Sequence, residues 1–423
     1  MHREMTDALQ SPRIDSERLR RLLDGVNSFG RSMVTGGFNR PAFSEADMAV
    51  RRWFADQMTE SGLAVRRDGA GNLFGRLGSK AGPAIMIGSH LDTVRDGGAF
   101  DGALGVCVAL ESVRAIHEAG LEPGIPIEVV ATSDEEGRFG GMLGSQAIAG
   151  QIDHAWIDKA ADADGLKLSQ AMIAHGLDPA RIIQAARPPG SIRAFLELHV
   201  EQGPILEASG KSIGIVESVS GICHWQVTLT GRANHSGTTP MDMRSDAFAG
   251  LAAISAMIPT IIRDAGGEQS RVTIGKVHLV PDHPHTIPGK AVFNLIVRDV
   301  DNEIMRALTI RFRDLIAETS RKHRLEASID EMGWLAPVSL DAAIASDIET
   351  EAKRLGLAYM RMPSGAGHDA QTMQAVCPSA LIFVPSRAGI SHAPEEWTDW
   401  ADIENGARLY LAALCRLAGM AGA

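Results

Sequence analysis

The sequence predicts an α/β protein: a mixed sheet with parallel members, interrupted by an inserted α+β domain of ferredoxin-like order. Three observations carry that expectation. Short apolar runs bounded by Gly or Pro, at 84–88 (AIMIG) and 125–132 (IPIEVVAT), read as strands buried on both faces. Helical patterns alternate with them, and that alternation builds a sheet with parallel strands. Near Val219 the texture turns to apolar–polar alternation, and after Pro337 the first texture resumes. One α/β domain is therefore expected from 1–218 and 336–423, with 219–335 inserted into it.

Each element follows from its own pattern. Leu19, Leu22, Leu23 and Val26 recur at helical spacing within 14–30, and Gly30 closes the run. Ser44, with Asp47 three residues on, opens a second helix that runs to Gly62. A helix over 104–119 separates the two buried strands. In the insertion, 225–231 (WQVTLTG) alternates like a half-exposed strand, and a helical stretch follows from Arg244 to about Asp264. Strands near 272–280 and 291–297, a helix over 303–323 and a strand near 325–330 complete a β-α-β-β-α-β order. Beyond Pro337, a helix near 341–356, a strand at 380–384 and a helix at 402–418 return to the α/β pattern.

Composition limits the function. The 423 residues carry 41 Lys+Arg against 52 Asp+Glu, a formal charge of −11. Hydrophobic residues at 45% and charged residues at 22% exclude wholesale disorder. The acidic balance argues against nucleic-acid and anionic-membrane partners, which need clustered positive charge. No apolar run approaches the roughly 18–20 residues of a membrane span. Residues 1–10 (MHREMTDALQ) lack the apolar segment of a secretory signal. Cys107, Cys223, Cys377 and Cys415 lie far apart with no CxxC pair, so free thiols in a reducing cytoplasm are expected. Any metal must then be held by His and carboxylates.

Five segments bring such residues to strand ends or a helix entrance, where an open α/β sheet offers its ligand crevice. His90 and Asp92, in GSHLDTV, are two apart; in extended chain they share a face, and the carboxylate would fix the imidazole tautomer. Asp101, in GGAFDG before the 104–119 helix, is either an N-cap or a metal ligand in a loop without side-chain bulk. Asp134, Glu135 and Glu136 follow IPIEVVAT; three consecutive acids repel one another unless a cation or Arg is close. If one Glu is metal-bound, its neighbour stays free, within reach of a metal-bound water. His199 in LHVEQG and His392 in GISHA each end an apolar stretch, where a single His is more often a hydrogen-bonded core residue.

Jointly, His90, Asp101, Glu136, His199 and His392 supply three His and two carboxylates, a set that suits Zn²⁺, Mn²⁺ or Co²⁺. If Asp101 bridges, each of two metals has three protein ligands and an open position; such a pair, about 3.5–4 Å apart, acidifies water and polarises a carbonyl. Residues 210–214 (GKSIG) match GxSxG, yet a strand is expected after them where a nucleophile elbow needs a helix. As a phosphate loop the same segment has Ile205 where Gly is required.

These motifs resemble the M20 metallopeptidase clan, and within it the hydantoinase/carbamoylase branch acting on N-carbamoyl-L-amino acids and allantoate. The resemblance spans nearly the whole chain through GSHLDTV, GGAFDGALGV, SDEEGRFGG, ELHVEQGPILE, GRANHSGTTPM, SGAGHDA and FVPSRAGISHAPEE. It implies a metallohydrolase catalytic domain whose 219–335 insertion is a lid and dimerisation domain, hence a homodimer. It implies two divalent metal ions per subunit, zinc first, with manganese, cobalt or nickel also accommodated. His90, Asp101 and His199 would hold one, and Asp101, Glu136 and His392 the other. Glu135 would be the general base and His235 the lid His that stabilises the oxyanion. Gln202 and Arg298 would bind substrate, Arg298 as a bidentate clamp for a carboxylate.

Two positions depart from the family pattern. His285 stands where Asn is usual, and Ile296 where an acid precedes the Arg by two residues. Both fall on the wall expected to grip the carboxylate end of a small anionic substrate. The resemblance implies metal-dependent hydrolysis of a linear C–N bond in an N-carbamoyl-L-amino acid or allantoate-like compound. The alternative is an aminoacylase or dipeptidase of the same clan. An inactive metal-containing binding protein is disfavoured, because it has little use for a free Glu135 beside Glu136.

Overall fold

The computed structural model describes residues 11–79 and 81–420, so the charged opening decapeptide lies outside the described residues. Two compact units divide them. One comprises the described residues up to Glu217 together with those from Ser339 onward, and the other is Ser218–Val338.

The first unit is built on a mixed sheet whose centre is four parallel strands. In spatial order these are Ile127–Thr132, Ala84–His90, Ile192–Val200 and Ser379–Val384. Antiparallel strands flank them, Leu73–Leu77 on one side and Ile213–Val219 on the other. Every residue of Ala84–His90, Ile127–Thr132 and Ser379–Val384 is buried, as near-continuous apolar runs require when helices cover both faces. The helix Ala103–Glu118 is buried along most of its length and packs its Ala, Gly, Cys and Val residues on this sheet. Ser16–Val26 buries Leu19, Leu22, Leu23 and Val26 in the same core. Glu45–Glu60 begins where Ser44 accepts the Asp47 N–H at 3.2 Å.

A group of short helices between Leu143 and Ala185 forms a side core around Phe139, Leu143, Met172 and Ile182. Nothing in the periodicity announced it: Leu143–Ile148, His154–Lys159 and Leu168–Ala174 are each too short to show a repeat.

The second unit is an antiparallel sheet in the order Val277–Val280, Lys290–Asp299, Gly221–Thr230, Glu326–Leu335, with Arg271–Thr273 also paired on Lys290–Asp299. Asn302–His323 and Ala247–Ala256 pack against it around Leu229, Phe293, Leu308 and Phe312. The single helix expected over 244–264 is two helices, Ala247–Ala256 and Ile258–Ala265. Pro259 explains the break, since Pro fits the first turn of a helix but not its interior. The expected strand over 272–280 is likewise two short strands. A further correction concerns Ala247–Ala265, which is long and apolar enough to cross a membrane by length and composition. Of its residues, Ala247, Leu251, Ile254 and Ile261 face the core of the second unit, and Phe248 and Met257 are exposed.

Candidate functional site

The parallel centre aims the C-terminal ends of four strands in one direction, and His90, Asp101, Glu135, Glu136, His199, Gln202 and His392 gather there. His90 is the last residue of Ala84–His90, and His199 the penultimate one of Ile192–Val200; their rings lie 5.8 Å apart. Asp101 reaches them from the loop before Ala103–Glu118. Two glycines of that loop are required by space. Gly102 has φ +62°, and a Cβ there would lie 2.4 Å from the His90 ring; one at Gly98 would lie 2.1 Å from Glu396 Oε1. The N-cap alternative for Asp101 is overturned, because Gly102 holds the cap position without a side-chain bond.

Asp101 is the hub of the cluster. Its Oδ1 is 3.1 Å from His199 Nε2 and 3.5 Å from His90 Nε2, while its Oδ2 is 3.2 Å from His392 Nε2. His392 Nε2 is also 3.4 Å from Glu136 Oε2, and Glu135 Oε2 is 3.6 Å from His90 Nε2. Two groups of donors that could each hold a metal ion result, His90–Asp101–His199 and Asp101–Glu136–His392, sharing Asp101. The imidazole tautomers fit such ions. His90 Nδ1 lies 2.9 Å from the Asp92 carbonyl and His199 Nδ1 2.9 Å from the Val200 carbonyl. A carbonyl only accepts, so each Nδ1 carries a proton, which leaves Nε2 of each ring as the atom that faces the carboxylate oxygens and would face a cation. Glu136 Oε1 is buried with no hydrogen-bond partner, a further donor atom awaiting a cation.

The electrostatics show what the cluster does without one. Burial pushes Asp101 upward, but hydrogen bonds to His199, His392 and His90 hold it well below the usual carboxylate range. Burial and the nearby Asp101 push Glu136 up to about 7, and hydrogen bonding to Asp101 lifts His392 to about 9. Protons therefore stand in for cations. For Glu136 the cost of ionisation is absent below its unfolded pKa of about 4.5 and grows as pH rises to about 7. For His392 the stabilisation is complete below about 6.5 and is lost as pH rises through about 9. Both signs make the metal-free fold weaken from pH 4.5 to 9. Melting with and without chelator at pH 5, 7 and 9 should show a Tm gap that widens with pH; a constant gap would contradict this account.

Several supporting residues escaped the sequence reading. Glu396 Oε1 accepts the N–H groups of Phe100 (2.8 Å) and Asp101 (3.0 Å), and its other oxygen accepts Ser391 Oγ–H at 2.5 Å. It lies four residues past His392, in the same motif. His368 is buried edge-on against His199, 4.6 Å between centroids, and burial followed by His199 keeps it neutral. The role expected of the Asp92 side chain is corrected: the strand ends at His90, so Asp92 no longer shares its face and offers its carbonyl instead. Its carboxylate accepts the Glu136 N–H at 3.2 Å. Asp134 turns away and accepts the Phe139 N–H, which separates it from its two Glu neighbours. Their side chains, 9% and 8% exposed, are no solvated turn.

Gln202 donates from Nε2 to Asp101 Oδ2 at 2.8 Å and lies 3.2 Å from His392 Nε2. Asp134, Gln202 and His392 all have φ between 54° and 58°, in the left-handed backbone region that non-glycine residues seldom adopt.

His235, His285 and Arg298 belong to the second unit. His235 lies on the short strand Asn234–His235, paired with Thr286–Ile287. Its Nδ1 accepts the N–H groups of Gly237 (3.1 Å) and Thr238 (3.2 Å), so the neutral ring carries its proton on Nε2. The carbonyl of His285 accepts the Ser236 N–H at 3.0 Å, and its exposed ring stands 5.8 Å from that of His283. Arg298 and Ile296 share the half-buried face of Lys290–Asp299.

Comparison with known proteins gives the family. A model of peptidase family M20/M25/M40 matches residues 86–416. The N-carbamoyl-L-amino acid amidohydrolase of Geobacillus stearothermophilus is 38% identical over 415 residues, covering 96% of this chain and 99% of that protein. An allantoate amidohydrolase from Bacillus subtilis (strain 168) is 34% identical over 402 residues, covering 94% and 96%. The crystal structure of an amidase of the hydantoinase/carbamoylase family from Burkholderia multivorans superposes with a TM-score of 0.89 at 32% identity, covering 97% and 99%. The chain thus belongs to peptidase family M20/M25/M40, among its metal-dependent hydantoinase/carbamoylase relatives, and is a hydrolase of non-peptide carbon–nitrogen bonds.

Proposed function

We propose that this chain is a dinuclear amidohydrolase of N-carbamoyl-L-amino acids, with allantoate-like ureido acids as the neighbouring substrate class. The observation that carries the reading is a single carboxylate, Asp101, shared between two donor groups, with Glu135 beside them and in neither. His90, Asp101 and His199 would hold one divalent cation, and Asp101, Glu136 and His392 the other; their nitrogen and oxygen atoms suit zinc, manganese, cobalt or nickel. When bound, the pair supplies Lewis acidity toward water and the substrate carbonyl.

Glu135 takes the proton of the attacking water and returns it to the leaving nitrogen. Burial raises its pKa well above the usual carboxylate range, which lets it hold that proton between the two transfers. His235, protonated on Nε2, donates to the oxyanion as it forms. Arg298 clamps the substrate carboxylate, Gln202 binds at the edge of the cluster, and His285 with Ile296 shapes the selectivity wall.

The Ser218–Val338 unit is read as the lid and dimerisation domain. Its edge strand Glu326–Leu335 is exposed almost throughout and carries Met332, Trp334 and Leu335, an apolar edge suited to a second copy. A monomeric mass in sedimentation equilibrium removes this part of the reading. All four cysteines are free and buried, in keeping with a reducing, cytoplasmic compartment.

A second reading, an aminoacylase or dipeptidase, draws on the apolar Ile296 beside Arg298. A panel of N-carbamoyl, N-acetyl and N-formyl amino acids plus allantoate, run on stripped and reconstituted protein, separates them. Ammonia released from N-carbamoyl substrates only after metal is restored is the expected result. Turnover confined to N-acetyl substrates would establish the second reading instead.

A further inference from the structure

The acid-rich turn after Ile127–Thr132 needs a cation behind it, and the structure supplies one from another element. Arg51, in Glu45–Glu60, is fully buried. It donates from Nη2 to the Thr132 carbonyl at 2.6 Å and from Nη1 to the Ala131 carbonyl at 3.1 Å. Its Nε donates to Asp47 Oδ1 at 2.7 Å, and its Nη2 faces Asp92 Oδ1 at 3.7 Å. Asp92 Oδ2 in turn accepts the Glu136 N–H. One guanidinium therefore grips the strand end that leads into Glu135 and Glu136, and stands within ion-pair range of the carboxylate that holds Glu136 by its backbone.

We propose that Arg51 and Asp92 form a brace that positions Glu136, so that Arg51 is a positioning residue for the Asp101–Glu136–His392 group and not for His90–Asp101–His199. The selectivity follows from connectivity. Both carbonyls and the Glu136 N–H lie on the Ile127–Thr132 strand and its turn, whereas His90 is oriented by the main-chain oxygen of Asp92, which survives any change of that side chain. Lys cannot replace Arg51, because one ammonium cannot span two carbonyls and two carboxylates in a planar fork. Supports of this kind are worth about 10–100-fold in metal affinity.

The inference rests on the reading of Glu136 as a metal-holding residue. Metal-free full-length Arg51→Lys and Asp92→Ala are titrated with Zn²⁺ against a competing chelator, beside the unaltered protein and Glu136→Ala. In both brace variants one equivalent should bind as in the unaltered protein and the second about 10–100-fold more weakly. The double variant should lose no more than either single one, as members of one unit do. Both equivalents unchanged, or both weakened together, would overturn the brace. An unaltered protein that binds fewer than two equivalents, or a Glu136→Ala variant that keeps both, would instead overturn the reading beneath it. Should Arg51→Lys fail to fold, Asp92→Ala decides the question alone.

Discussion

Glu135→Gln should leave the metal content unchanged and lower turnover by about 10²–10⁴-fold, the range that a positioned general base contributes. Glu135 belongs to neither donor group, and its Oε2 stands 3.6 Å from His90 Nε2, beyond hydrogen-bond length. Gln has the same shape, so packing around this mostly buried side chain is kept while its proton-accepting oxygen pair is lost. Glu135→Asp retains the carboxylate but withdraws it by one methylene. A displacement of about 1 Å costs on the order of 10²-fold, so that variant should fall between the other two. Elemental analysis of the purified variants, read beside the rate of ammonia release, checks both statements. Turnover within tenfold of the unaltered enzyme would remove Glu135 from the chemistry. Loss of metal in step with activity would make it a ligand instead.

The residues that gather around Asp101 were legible because each stands beside a local pattern with a local cause. A buried strand must be apolar throughout, so a His or an acid at its end is conspicuous, and the glycines around Asp101 mark a loop too tight for side chains. The residues that were not legible act over distance or through the main chain. Arg51 binds carbonyls about eighty residues away, and a carbonyl leaves no trace in the amino-acid letters. Glu396 holds amides nearly three hundred residues away. Asp92 misled for a related reason: the rule that alternate residues share a face holds only inside a strand, and this one ends at His90. In the fold, Pro259 in the apolar stretch 247–265 should have divided one expected helix into two.

Asp101→Asn should have the widest effect of any single substitution here, removing both metal equivalents where His199→Ala or His392→Ala weakens chiefly one. Asp101 alone touches both groups, its two oxygens facing opposite sets of imidazoles. Asn presents one oxygen and one amide, so at most one side keeps an acceptor, and the negative charge that offsets two cations is gone. The loop itself should survive, because Glu396 holds it through the backbone N–H groups of residues 100 and 101. In the metal-free variant the Asn amide can donate to an imidazole lone pair, which keeps the cluster satisfied. The variant nevertheless loses the carboxylate that lifts His392, so its metal-free Tm should fall below that of the stripped parent at neutral pH, while added Zn²⁺ raises the parent's Tm and not the variant's. One equivalent retained at parental affinity would mean that the two groups do not depend on a shared carboxylate. Equal sensitivity of both equivalents to His199→Ala and to His392→Ala would mean that they are coupled through something other than Asp101.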